Sequence, residues 1–343
     1  MKRFIIPQLA LVLLWMAPIC GAEVVKTGVF EKATLEWETR EIPPPLSSVW
    51  WWVVPLREII LLENNTGFLT LLDPKTGEIV DFLDGAIGGN FSLGDLEGDR
   101  VIEAVIAGAC STEDMLLCVF RIDPYEGTVK WKLPLPSFPP DFIFPLSDLN
   151  GDGILEVIVA LSDGTILCLG KDGEVISKVN FPSKFSTPPS IGDLNSDGQL
   201  EVIIGAGDHV VCFDKDFNIL WQTDLDIGAY THEPPLIVDL NKDGKCEILI
   251  TDSVSGSLYC LGSDGKWLWK FKAPGAFPQE EVLQPVVGDL NSDKSLEILF
   301  PAGGSVYCLT SSGEKIWDRS GELVLLADVD LDGKLDVIIS RSF

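Results

Sequence analysis

A short acidic motif returns six times along this chain, and a chain with that internal period has few folds open to it. Asp-Leu-Asn starts at Asp148, Asp193, Asp239 and Asp289, with Asp-Leu-Glu at Asp95 and Asp-Val-Asp at Asp328, so successive copies stand 53, 45, 46, 50 and 39 residues apart. A second signature follows in most repeats and ends in Trp131, Trp221, Trp269 and Trp317, as in Ser263-Asp264-Gly265-Lys266-Trp267-Leu268-Trp269; Ser177 breaks that series. The repeat from Asp141 to Val179 divides into four β-type runs, residues 142–149, 155–161, 165–169 and 174–179, joined by turns such as Asp163-Gly164 and Asp172-Gly173. No stretch keeps a helical period over three turns. Four antiparallel strands per 40–50 residues is the blade of a β-propeller.

Full repeats read at about 44–84, 85–134, 135–180, 181–225, 226–273 and 274–320, and a remainder from Glu322 to Phe343 holds only two strands. Gly28-Val29-Phe30 and Thr34-Leu35-Glu36-Trp37, within residues 24–40, match the two strands it lacks. The expectation is an all-β, seven-bladed propeller whose ring is closed by strands from both termini, an arrangement that covers open sheet edges.

The first turn of each repeat has the form Asp-x-Asn-x-Asp-Gly-x-x-Glu. Side chains at positions 1, 3, 5 and 9 and the backbone carbonyl at 7 are hard oxygen donors that suit calcium, provided the chain turns sharply at the glycine in position 6. The candidate sets are Asp148, Asn150, Asp152, Ile154 and Glu156; Asp193, Asn195, Asp197, Gln199 and Glu201; Asp239, Asn241, Asp243, Lys245 and Glu247; Asp289, Asn291, Asp293, Ser295 and Glu297; and Asp328, Asp330, Asp332, Lys334 and Asp336. Lys294 stands where the fourth loop should have glycine, which weakens it. Asp95, Glu97, Asp99 and Glu103, with Arg100 at position 6, make a doubtful sixth loop, and Trp50, Trp52, Val54 and Glu58 make none. Asp, Asn and Gly also form good turns by themselves, but turn formation does not require an acid at position 9. Four or five structural Ca2+ sites are expected. No loop has His or Cys at a donor position, Cys246 standing at position 8 of the third, which argues against zinc.

The formal charge of −27 argues against nucleic acid and anionic lipid as partners. Lys2 and Arg3, an apolar run over residues 4–19 and Cys20-Gly21-Ala22 have the layout of a secretory signal peptide. A leader over 1–22 and one propeller domain over 23–343 are therefore expected, with no membrane span once the leader is removed, in a secreted, periplasmic or cell-surface location. An uncleaved anchor is the alternative. Removing the leader takes two basic residues and makes the charge −29. Five of the remaining cysteines, Cys118, Cys168, Cys212, Cys260 and Cys308, read as one equivalent buried position in successive repeats, while Cys110 and Cys118 flank a hairpin and could pair.

Asn90-Phe91-Ser92-Leu93-Gly94-Asp95-Leu96-Glu97-Gly98-Asp99, together with the five loops, resembles the FG-GAP or VCBS-type repeats of the integrin α-subunit propeller. The resemblance implies seven blades with calcium loops between first and second strands on one face. Gly205-Ala206-Gly207 departs from the family's Gly-Ala-Pro. The strand pattern Gly256-Ser257-Leu258-Tyr259-Cys260-Leu261 before Asp264-Gly265 and Trp269 is similar to repeats of pyrroloquinoline quinone dehydrogenases and outer-membrane assembly scaffolds, which implies tryptophans anchored between blades. The quinone enzymes' adjacent cysteines are missing here.

The reading that follows is a calcium-binding interaction, adhesion or scaffold module rather than an enzyme. Its partner, a protein, glycan or cell-surface polymer, would meet the proline and aromatic linkers Phe138-Pro139-Pro140, Phe181-Pro182 with Phe185, Tyr230 to Pro235 and Phe277 to Glu281, on the face opposite the calcium loops. The alternative is a quinone-dependent or carbohydrate-active enzyme on the same scaffold, for which His209 beside Asp208 and His232 beside Glu233 are the acid–base candidates.

Overall fold

Strands and no helices form among the described residues of the computed structural model, which are 53–56, 59–63, 69–72, 79–83, 86–99, 103–109, 117–123, 128–140, 144–225, 233–274, 283–328 and 333–340. The chain divides into two compact units, one holding residues up to 136 together with 171–174, the other holding 137–170 and 175 onward.

In the first unit, Val53–Leu56, Ile59–Glu63, Leu69–Leu72 and Ile79–Leu83 form one four-stranded antiparallel sheet, and Ala86–Gly94, Glu103–Ala109, Leu117–Asp123 and Thr128–Pro134 form a second. The second unit repeats the meander four times. Its second strands are Glu156–Ala160, Glu201–Ala206, Glu247–Asp252 and Glu297–Ala302; its third strands are Thr165–Leu169, His209–Phe213, Ser257–Leu261 and Ser305–Leu309. Leu323–Ala327 and Asp336–Ser340 follow as a two-stranded sheet, as the sequence remainder implied; residues 24–40, expected to complete it, lie outside the described residues, as does the leader.

Within the run expected over 142–149, of which residues 144–149 are described, the strand is Leu146–Ser147: Pro145 has no N–H to donate and Asp148 already begins the acidic loop.

The middle strands are buried on both faces, and period-2 alternation explains how. Val202, Ile204 and Ala206 join a core with Ile158, Cys168 and Phe213, whereas Ile203 between them joins Cys212, Ile250 and Tyr259. Leu249 and Ile298 share the next core, and Leu299 with Val324 the one after. Each core draws on two consecutive sheets. Fourth strands alternate half-buried and exposed residues, consistent with a single covered face.

The tryptophans lock one repeat to the next. Trp131 Nε1 donates to Lys171 O at 2.7 Å, Trp221 Nε1 to Ser263 O at 3.0 Å and Trp269 Nε1 to Ser311 O at 3.0 Å. Each ring lies over a turn glycine with positive φ, Gly173, Gly265 or Gly313, where a Cβ atom would meet the ring carbons at 2.5–2.7 Å. Ser177 lacks the ring, and the next repeat answers from the other side. Phe217 occupies the turn position of those glycines, keeps their positive φ of 60°, and is buried with Cys168, Phe213 and Val179.

Candidate functional site

Each acidic loop joins the first strand of a sheet to the second. An Asp at position 1 folds the loop by accepting its backbone N–H groups, which is the local chemistry of Asx turns. Asp148 Oδ1 accepts from Gly151 and Asp152 at 2.7 and 3.0 Å, and its Oδ2 accepts from Gly153 at 2.8 Å. Asp193 and Asp239 make the same position-5 and position-6 bonds, and Asp328 Oδ2 accepts from Gly333. The acid at position 5 accepts the N–H of position 7, as Asp152 does from Ile154, Asp197 from Gln199, Asp243 from Lys245 and Asp293 from Ser295.

Positive φ is needed twice per loop. Position 6 carries it at Gly153, Gly198, Gly244 and Gly333, and position 4 at Gly151, Ser196, Lys242 and Ser292, a requirement the sequence reading missed. Lys294 adopts φ 75° without being glycine, so the fourth loop keeps the fold under strain.

Beneath the loop lies the glutamate of position 9. Glu156 Oε2 accepts from Leu149 N at 2.9 Å and its Oε1 from Asn150 Nδ2 at 2.8 Å; Glu247 and Glu297 repeat both contacts, and Glu201 repeats the first. All four are buried, at 3–6 % exposure. Burial pushes the carboxyls of Glu156, Glu201 and Glu247 above their ordinary value; the backbone N–H opposes it, and the acids at positions 5 and 1 add to it. Asp336, by contrast, is exposed, and Asp330 and Asp332 lie outside the described residues.

Among the described residues no three His, Cys, Asp or Glu side chains converge as metal ligands would; the loop acids face their own backbone. The donor set still fits a hard cation. It is all oxygen, it stands over a buried carboxylate, and Asp289 Oδ1 in the strained fourth loop is buried with no hydrogen-bond partner. Adjacent loops also touch: Cys246 N donates to Leu194 O at 2.9 Å, and Ser196 Oγ bonds Gly244 O.

A raised carboxyl pKa sets the sign of a pH effect. Between the ordinary 4.5 and the raised folded value, the folded chain holds more protons than the unfolded one, so stability falls as pH rises. In chelator, melting temperature should therefore drop from pH 4.5 toward 7.5, less steeply in Glu156→Gln, and calcium should flatten the slope. The lowered carboxyls of Asp214, Asp264 and Asp293 act below their ordinary 3.8, outside that window. A slope unchanged by both calcium and the substitution would contradict this account of the buried glutamates.

Cys168, Cys212, Cys260 and Cys308 are free, buried and cross-strand from the second strand two residues past the loop glutamate. Burial, then that glutamate, pushes the Cys168 and Cys212 thiols up to about 12 and Cys308 up to about 11, which makes them inert. Cys118 does not belong to the series. It is disulfide-bonded and pairs with Pro134, whereas the partner of Trp131 in that sheet, matching Cys212 opposite Trp221, is Arg121. Cys110, its suggested partner, lies outside the described residues.

Linkers leave each sheet at the end opposite the acidic loop, as a four-stranded meander requires. Their aromatics differ in role. Phe138 is 59 % exposed, but Phe181 and Phe185 are buried and stacked on each other at 5.7 Å, with Phe181 edge-on to Phe213, so they are core and not contact surface. Tyr230–His232 and Phe277–Glu281 lie outside the described residues, whereas Glu233, Pro234 and Pro235 are described. His209 faces Asp208 through Nε2 at 2.9 Å and Asp224 through Nδ1 at 2.8 Å; the register that pairs His209 with Asp224 was not visible in sequence.

Residues 148–204 match the FG-GAP-like repeat family, and residues 202–283 match the lambda-carrageenase β-propeller domain. No curated protein matches the sequence. Among solved structures, BamB from Moraxella catarrhalis is similar with a TM-score of 0.54 at 12% identity, over 80% of this chain and 77% of that one. The V. cholerae biofilm matrix protein Bap1 gives 0.50 at 18%, over 69% of this chain and 40% of that one. BBS1N, solved in complex with ARL6DN, gives 0.51 at 9%, over 82% and 84%. These likenesses show the fold: the four-stranded sheets are propeller blades.

Proposed function

We propose that this chain is an extracytoplasmic, calcium-stabilised propeller of seven blades, closed by residues 24–40, that works as an interaction or adhesion module. The observation that carries the reading is the buried glutamate under a loop of further acids, repeated at Glu156, Glu201, Glu247 and Glu297; burying a carboxylate among other acids is costly unless a cation offsets the charge. Calcium would supply the charge, held by positions 1, 3, 5 and 9 and the carbonyls of Ile154, Gln199, Lys245, Ser295 and Lys334. The FG-GAP-like match and the likeness to a biofilm matrix protein and to a protein solved with a partner support the module reading. Phe138, exposed on a proline-rigid linker, is the described residue best placed to meet a protein, glycan or polymer.

Calorimetric titration of the chain with calcium tests the reading. Four or five ions per chain are expected, at affinities of about 10⁻⁴ to 10⁻³ M, with little response to magnesium; no binding heat and no retained calcium would remove it. A second reading, a carbohydrate-active enzyme, is favoured by the lambda-carrageenase match over a stretch that contains His209 between two carboxylates. Release of reducing ends from carrageenan by the wild type, lost in His209→Ala, would select it.

A further inference from the structure

The second repeat departs from the others at two places that are far apart in sequence. Position 3 of its loop is Glu97 where the following five loops have Asn or, in the last, Asp, and the strand position held elsewhere by Cys168, Cys212, Cys260 and Cys308 is Arg121. The structure brings the two together. Arg121 is 2 % exposed, and its Nη2 lies 2.6 Å from Glu97 Oε1 and 3.4 Å from Oε1 of Glu103, the position-9 acid of that loop. Its Nη1 donates to Lys171 O at 2.9 Å, the carbonyl that also takes the Trp131 indole N–H, so the guanidinium is held from two sides. Glu103 keeps the standard bond from Leu96 N, but Arg121 faces the oxygen that Asn150, Asn241 and Asn291 engage in their own loops.

We propose that Arg121 is the resident cation of this loop: its guanidinium stands in for a metal ion, so the acidic loop at 95–103 is charge-compensated without calcium while the loops that carry Cys in this register position are not. The inference rests on the calcium reading for those other loops. Charge explains why the two departures occur together. An arginine buried beside one carboxylate would be expensive, and an extra glutamate over a buried carboxylate more so, yet each compensates the other.

The test compares wild type, Arg121→Cys, Glu97→Gln and the double variant as full chains, by calcium stoichiometry in equilibrium dialysis and by melting in calcium and in chelator. Arg121→Cys should melt lower in chelator by about 4–7 °C, the usual cost of stripping a buried charge of its partner. Calcium should close much of that gap, with one more ion bound than in wild type. Glu97→Gln alone leaves Arg121 with one carboxylate and should itself lower melting, but added to Arg121→Cys it should recover part of that variant's loss in chelator. An equal gap in both conditions, unchanged stoichiometry and no rescue would show that Arg121 only fills space. A wild type that binds no calcium sinks the calcium reading alone; the rescue by Glu97→Gln in chelator then still decides whether Arg121 is a counter-ion. Should Arg121→Cys fail to fold in either condition, Arg121→Lys takes its place: melting near wild type sustains the charge role, and a loss as large as that of Arg121→Met overturns it.

Discussion

Chelating calcium from the wild-type protein should lower its melting temperature by about 3–11 °C, and calcium but not magnesium should restore it. The range follows from mass action. A loop with affinity of about 10⁻⁴ to 10⁻³ M gains about 0.4–1.4 kcal/mol from millimolar calcium, so five loops contribute roughly 2–7 kcal/mol, comparable to the stability of a whole domain. Unfolding entropy near 2.1 cal/mol/K per residue converts that into the stated shift for a chain of this size. The structure adds an internal ranking. Loops 148–156, 193–201 and 239–247 have glycine at position 6 and a buried glutamate, so removing their acids should cut the response most. Loop 289–297 strains Lys294, and Asp336 of the last loop is exposed, so these two should contribute less. An unchanged melting temperature would mean that the backbone bonds to Asp148, Asp193 and Asp239 are all these loops need, and that their acids serve turn formation alone.

What the sequence displayed and what it hid divide along the range of the interactions. The acidic loops were legible because every donor lies within nine residues of Asp148 or its counterparts, and a periodic, apolar strand pattern announced the blades. Arg121 was illegible as a loop component because it lies 18 residues beyond Glu103, and only the antiparallel register sets it beside that acid. The same register corrects Cys118, which sits three residues ahead of the position its sequence neighbourhood suggested, in a strand that begins earlier than those of the other repeats. Phe181 and Phe185 looked like surface because Pro182 lies between them in a short linker; the burial of both in one core with Phe213 shows a linker that serves the core, a distinction local composition does not encode. The Trp–glycine lock was half legible. The tryptophan series was visible, but its pairing with glycine in the following repeat spans 42–44 residues, and the replacement of that pair by Ser177 and Phe217 spans 40.

That replacement makes a two-sided prediction. Gly265→Val should destabilise the protein by about 2–5 kcal/mol, read as the shift in denaturant midpoint at unchanged slope. A β-branched residue at φ 75° carries the left-handed penalty of about 1–2 kcal/mol, and its Cβ would lie 2.6 Å from the Trp221 ring, an overlap of the kind that costs about 1–3 kcal/mol in packed interiors. At the third-to-fourth repeat junction the equivalent positions are exchanged, since Phe217 stands at the turn position of Gly265 and Ser177 at the strand position of Trp221. Phe217→Gly should lose about 3–5 kcal/mol, as emptied aromatic sites do. Ser177→Trp alone should clash, and the two together should recover much of the loss by rebuilding the arrangement of Trp221 with Gly265. Losses that merely add in the double variant would show that Ser177 and Phe217 differ from the other repeats independently; recovery would show that each junction requires one ring and one vacancy, with either repeat free to supply the ring.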